Sequence, residues 1–141
     1  MEKENILKAN ITTEESEMKK KAMAVFKGWL FAIIFSIVLL TIYALILANT
    51  TISESTMMPV LLTITGISIL IGGTISSRKM KKNGLIYGGI VGVVYIVSLY
   101  LASSISMVGF SLSANSFIML AVGMITGIIG GIIGVNLSVK K

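Results

Sequence analysis

The most reactive side chains within the long apolar runs of this chain are hydroxyls: Ser36, Thr41, Thr63, Thr65, Ser68, Thr74, Tyr95, Ser98 and Thr126. A serine nucleophile needs a base within hydrogen-bond reach to take its proton. The chain has no histidine and no cysteine, and no Asp, Glu, Lys or Arg falls within those runs. The same gap argues against proton relays and carriers of charged substrates, which depend on an ionisable group at membrane depth. It also removes thiolate and imidazole metal sites. No enzyme activity, no cofactor and no bound metal are therefore expected. The hydroxyls can bond to the carbonyl one turn back in their own helix. Alternatively, Thr63, Ser68, Ser98 and Thr126 could line a thin polar path for a neutral or weakly polar solute, in a small channel or carrier.

Glycine spacing is more informative. Gly123, Gly127, Gly130 and Gly134 fall on one narrow face of a helix turning about 100° per residue. Gly84, Gly88 and Gly92 repeat at four, and Thr63, Gly66, Gly73 and Ser77 share a face. Small residues at this spacing let two backbones approach closely, which matters where lipid gives helices no hydrophobic reason to associate. Packing within one chain is the preferred reading for most of them. The extended face of Gly123 to Gly134 is the candidate for a seam with a second molecule.

These groups need elements to carry them. Over 141 residues the chain is 55% hydrophobic and 13% charged, with a mean hydropathy of +0.94. Four runs close to the roughly 20 residues needed to cross a bilayer account for this. They are predicted as spans over about 28–48, 57–75, 85–102 and 117–135. The expected fold is all-α, an integral membrane four-helix bundle preceded by a polar leader at 1–27. The first run follows that leader and is longer than a signal-peptide core, so it is expected to remain as a membrane anchor.

Orientation follows from the basic residues. Lys19, Lys20, Lys21 and Lys27 precede the first span, Arg78, Lys79, Lys81 and Lys82 separate the second and third, and Lys140 and Lys141 follow the fourth. The other two gaps hold only Glu54. Cations at every second boundary predict both termini on the cytoplasmic side of the plasma membrane and disfavour a dual-topology dimer. The net charge of +6 is accounted for by these positions and by anionic lipid head groups. Membrane lipids are thus the expected partners and nucleic acid is not.

In the leader, Thr12 with Glu15 fits a capping box, so a helix is expected to begin there. Met18, Ala22, Val25, Phe26 and Trp29 continue it as an apolar stripe. The preferred reading is a juxtamembrane extension lying along lipid, the alternative a surface helix that docks a cytoplasmic partner. Trp29, Phe31 and Tyr43 are placed as interfacial aromatics. Ser55 or Thr56 is expected to cap the second span, with Pro59 in its first turn, and Asn115 or Ser116 the fourth. Met107, Val108 and Phe110 place the loop between the last two spans at the outer interface. Asn49-Thr50-Thr51 matches a glycosylation acceptor and carries no weight alone. Spans one and three open alike (Gly28-Trp29, Gly84-Leu85). Spans two and four share a Thr-Gly pair and a Gly-Gly pair before their basic stops. These likenesses suggest parallel repeats.

One stretch carries a resemblance. Ile69 to Lys79, with its Gly72-Gly73 and Ser76-Ser77-Arg78-Lys79, followed by Gly84 and Tyr87-Gly88-Gly89-Ile90-Val91-Gly92, resembles the YrzE-like family of small four-span membrane proteins from Gram-positive bacteria. The family pattern is a double glycine, two small residues, a basic loop and a glycine-stepped third helix, matched here by Gly72, Gly73, Arg78, Gly84, Gly88 and Gly92. The resemblance is looser over spans one and four and does not cover the leader. It implies architecture and setting rather than an activity. Because members are often encoded near accessory components of the protein-export machinery, it also implies a partner in the plasma membrane. The function expected from the sequence is association between helices, as a homo-oligomer or as an accessory subunit of a membrane complex.

Overall fold

The computed structural model describes residues 1–51, 53–81, 83–105 and 114–139, apart from the side chains of Glu54, Ala114 and Asn115. Expectations placed on Lys82, Met107, Val108, Phe110, the Asn115 cap, Lys140 and Lys141 lie outside the described residues. The described elements are α1 (Glu2–Ala48), a 3₁₀ turn at Glu54–Thr56, α2 (Met57–Met80), α3 (Gly84–Ile105) and α4 (Ala114–Val139). Four helices are long and apolar enough to cross a membrane. The chain is an all-α, multi-pass membrane protein.

The first helix departs from expectation. It does not start at a Thr12 cap but runs unbroken from Glu2 for 47 residues, about 70 Å at about 1.5 Å per residue. The Thr12 hydroxyl lies 3.0 Å from the Lys8 carbonyl and 2.9 Å from that of Ala9. It thus donates back into a turn that already exists rather than capping a new one. Glu4 and Lys8, 3.2 Å apart at i and i+4, add modest support to that turn. A helix continuous with the first span cannot also lie flat on lipid, so the leader projects beyond the bundle. Residues 1–23 are all exposed, and the first buried position is Ala24. At the far end the Asn49 amide donates to the Leu45 carbonyl at 2.9 Å, meeting one of the carbonyls a helix terminus leaves open.

No side chain caps α2. Thr56 is itself in the right-handed helical region, and the 3₁₀ turn leads straight into the helix. Pro59 is the third residue of α2, where its missing N–H removes no bond. The helix stops at Lys81, which adopts φ 54° and returns its N–H to the Ser77 carbonyl at 3.3 Å. Asn83, with φ 53°, accepts bonds from the Ile86 and Tyr87 amides and so opens α3. This tight turn sets α2 and α3 antiparallel from their first residues, and the Ser77 hydroxyl reaches the Gly84 carbonyl at 3.2 Å.

Pairings along the helices fix the topology. Gly28 and Ala32 of α1 meet Ser76 and Gly72 of α2 in reverse order. Gly84, Gly88 and Gly92 of α3 meet Gly131, Gly127 and Gly123 of α4, also in reverse order. Leu70, Thr74 and Arg78 of α2 run level with Gly130, Gly134 and Ser138 of α4 in the same direction. Hence α1 is parallel to α3, and α2 to α4. α2 is the hub and packs on all three others, whereas α1 and α4 do not meet among the described residues. The small buried core is Ala32, Ile69, Tyr95 and Ile96, with Trp29, Ile33 and Leu120 packed against it.

Candidate functional site

Three features of the bundle have enough geometry to act: the glycine seams, a set of buried hydroxyls, and the cationic end of the α1–α2 pair.

The seams are backbone against backbone. A Cβ added to Gly88 or Gly127 would fall on the other's carbonyl oxygen, and one added to Gly131 or Gly84 likewise. A Cβ on Gly73 would lie 2.8 Å from the Gly127 carbonyl. Gly123 meets Ile96, Gly92 meets the Gly123 carbonyl, and Gly130 and Gly134 sit on the carbonyls of Leu70 and Thr74. The α4 glycines thus divide into two rows, Gly123, Gly127 and Gly131 facing α3, and Gly130 and Gly134 facing α2. The Thr74 hydroxyl joins the second row, lying 2.8 Å from its own Leu70 carbonyl and 2.9 Å from the Gly130 carbonyl. The face of α4 set aside for a second molecule is therefore filled from within the chain. Each close approach excludes a side chain, and contact between the backbones supplies the dispersion attraction that lipid cannot outbid.

Gly66 belongs to no seam. Nothing lies within 4 Å of its Cβ position, because α2 and α4 part toward Met58 and Ile118. They leave a groove of about 430 Å³ lined mainly by Leu62, Thr65, Ile69, Val122 and Thr126. Conversely, sequence reasoning missed the α1 seam. Ala24, Gly28, Ala32 and Ser36 are the buried residues of α1, and Gly28 sits 2.5 Å from the Gly72 carbonyl by its Cβ position. The signal was present as small residues at every fourth place, of which only one is glycine. The α1–α2 and α3–α4 contacts use matching positions, Gly28 and Ala32 against Gly72, and Gly84 and Gly88 against Gly131.

Most hydroxyls are spent locally. Thr41, Thr63, Ser68, Ser98 and Thr126 each donate to the carbonyl four residues back at 2.7–2.8 Å. Bonds between side chains also tie α1 to α3. Tyr95 of α3, buried in the core, donates to Ser36 of α1 at 2.7 Å. Trp29 is turned inward rather than toward an interface: its indole N–H donates to Ser98 at 2.9 Å. Neither arrangement places a base beside a nucleophile. These contacts fasten α1 to α3 across a pair that shares no glycine seam.

The cations gather at one end. Lys27 of α1 and Lys79 of α2 are both exposed there. Arg78 shares the last turn of α2 with Lys79, and its carbonyl accepts from Ser138 of α4 at 2.8 Å. Lys19, Lys20 and Lys21 are exposed on the projecting part of α1, and Lys20 lies 3.8 Å from Glu17. Lys81 is exposed in the α2–α3 turn.

No curated protein and no solved structure matches the chain. A family model does, over residues 21–134, and its description is a protein of unknown function (DUF3792). The match takes in all four apolar helices and leaves most of the projecting part of α1 outside.

Proposed function

From the premise that the chain belongs to the DUF3792 family, we propose that it is a non-catalytic plasma-membrane protein that works by association. It would do so as an accessory subunit of a membrane complex or as an oligomer, with both termini in the cytoplasm. The observation that carries this reading is the surface that the fold leaves unpaired. Apart from Gly66, the seam glycines of α2, α3 and α4 are used up inside the bundle, whereas α1 is peripheral and only 11% of its span is buried. Beyond the span, Leu7, Ile11 and Met18 stand exposed in line with Val25 and Trp29. At about 100° per residue these positions keep to one narrow stripe. An apolar stripe on a projecting helix fits the apolar face of a partner's helix. Basic residues at alternate ends of the spans support the orientation, and the resemblance to membrane proteins encoded beside export components favours a partner in the same membrane.

The test is a photo-crosslinking residue at Ile11 or Met18 in native membranes. A discrete adduct with another membrane protein or with a second copy is expected. If no adduct forms and the purified protein is monomeric in mild detergent, the reading fails. A second reading, a small channel or carrier for a neutral solute, draws on the groove containing Thr65 and Thr126. Solute flux into proteoliposomes that is lost with Thr65→Val would favour it over association.

A further inference from the structure

We infer that the groove between α2 and α4 holds one acyl chain of a phospholipid, drawn from the leaflet remote from the cations. The groove follows from where the two helices touch. Gly130 and Gly134 lie on the carbonyls of Leu70 and Thr74, which closes the pair at that level. Toward Met58 and Ile118 the helices part, and no described atom lies within 4 Å of the Cβ position of Gly66. A side chain there would occupy the gap, so the glycine leaves it open. The floor is buried, with Ile69 at 1% and Ile96 of α3 at 9% exposure, whereas Leu62 and Val122 on the rims are more than half exposed. A chain can therefore enter sideways from the bilayer.

The dimensions of the groove select its occupant. It extends from Met58 to Ile69 on α2 and from Ile118 to Thr126 on α4, a run of about 12–16 Å at about 1.5 Å per residue. That is the depth of one leaflet, half of a core about 30 Å thick. A volume of about 430 Å³ spread over that run leaves a mean cross-section of about 30 Å². A helix is about 10 Å across with its side chains and does not fit. A single hydrocarbon chain, with neighbouring atoms about 4 Å away, does. The eleven lining residues also fall short of the roughly 20–30 a side that a stable protein interface uses. None of them carries a charge, and the Thr126 hydroxyl is taken up by the Val122 carbonyl at 2.8 Å. Such a wall offers mainly dispersion contact, which suits a methylene chain better than a polar solute. The inference does not rest on the association reading, because no residue of α1 lines the groove among the described residues.

The full-length chain with photo-leucine in place of Leu62, reconstituted in vesicles of phosphatidylethanolamine and phosphatidylglycerol, tests this. Irradiation should give an adduct of phospholipid mass at that residue. Photo-leucine in place of Ile37, on the exposed face of α1, reports the ordinary lipid surround. Gly66→Leu fills the groove. It should cut the adduct at residue 62 several-fold, leave that at residue 37 unchanged, and not lower the unfolding temperature. A phospholipid with a diazirine at the far end of its acyl chain should label the level of Ile69 and Thr126, and one with the diazirine beside the ester the level of Met58 and Ile118. The reverse order would put the chain in the other leaflet and overturn the assignment. A link from residue 62 to residues 106–113 of the same chain, or to a second protein, would show that polypeptide fills the groove and would also overturn it. So would equal effects of Gly66→Leu at residues 62 and 37. Should Gly66→Leu not fold, the identity of the adduct at residue 62 and the order of labelling with depth decide without it.

Discussion

At the scale of single residues, the seams make sharp and opposite demands on glycine. Gly131→Ala would drive a methyl onto the Gly84 carbonyl, with Gly88 Cα at 3.0 Å on the other side. Two backbones would have to separate, so a loss of about 1–3 kcal/mol is expected, read as a lower unfolding temperature in detergent. Gly66→Ala meets nothing within 4 Å and gains about 0.5–1 kcal/mol of helix preference, so the same measurement should show no loss. Tyr95→Phe removes the 2.7 Å bond to Ser36 while leaving the ring in place. Hydrogen bonds between membrane helices average about 0.6 kcal/mol and reach about 1.7, so a shift smaller than that of Gly131→Ala is expected. Ser36→Ala in the same background should add almost nothing. Glycine spacing was legible in the sequence and its partners were not. Gly66 and Gly73 share a face by periodicity, yet only Gly73 is near α4, because the sequence does not show where two helices diverge. Trp29 was misplaced for a related reason: an indole at the end of an apolar run reads as interfacial until Ser98 is found opposite it.

At the scale of elements, hydropathy was enough to find four helices, because a bilayer core imposes a minimum length on each. It was not enough to find where α1 begins. Thr12 and Glu15 have the spacing of a cap, but the residues before them also favour helix, and the Thr12 hydroxyl turns back instead. The continuity of α1 has a direct measure. Spin labels at residues 5 and 45 of one molecule should lie about 60 Å apart, forty residues at about 1.5 Å each. A bend onto the lipid surface would shorten that distance and broaden its distribution.

At the scale of the whole molecule, the described residues join α1 to the rest through a small-residue seam and the Trp29–Ser98 and Tyr95–Ser36 bonds, while α2, α3 and α4 form a tighter trio. Deleting residues 2–20, which are all exposed, should leave the unfolding temperature unchanged while abolishing co-purification of the partner. The central place of α2 also bears on how the protein is made. The last of the four helices to leave the ribosome is the one that slides between α2 and α3 and covers both of their glycine faces. Until it arrives, Gly73, Gly84, Gly88 and Gly92 lack the α4 backbone they pack against. A chain cut within α4 should therefore stall as a loose three-helix intermediate and be cleared by membrane proteases, whereas one lacking its first twenty residues should mature normally.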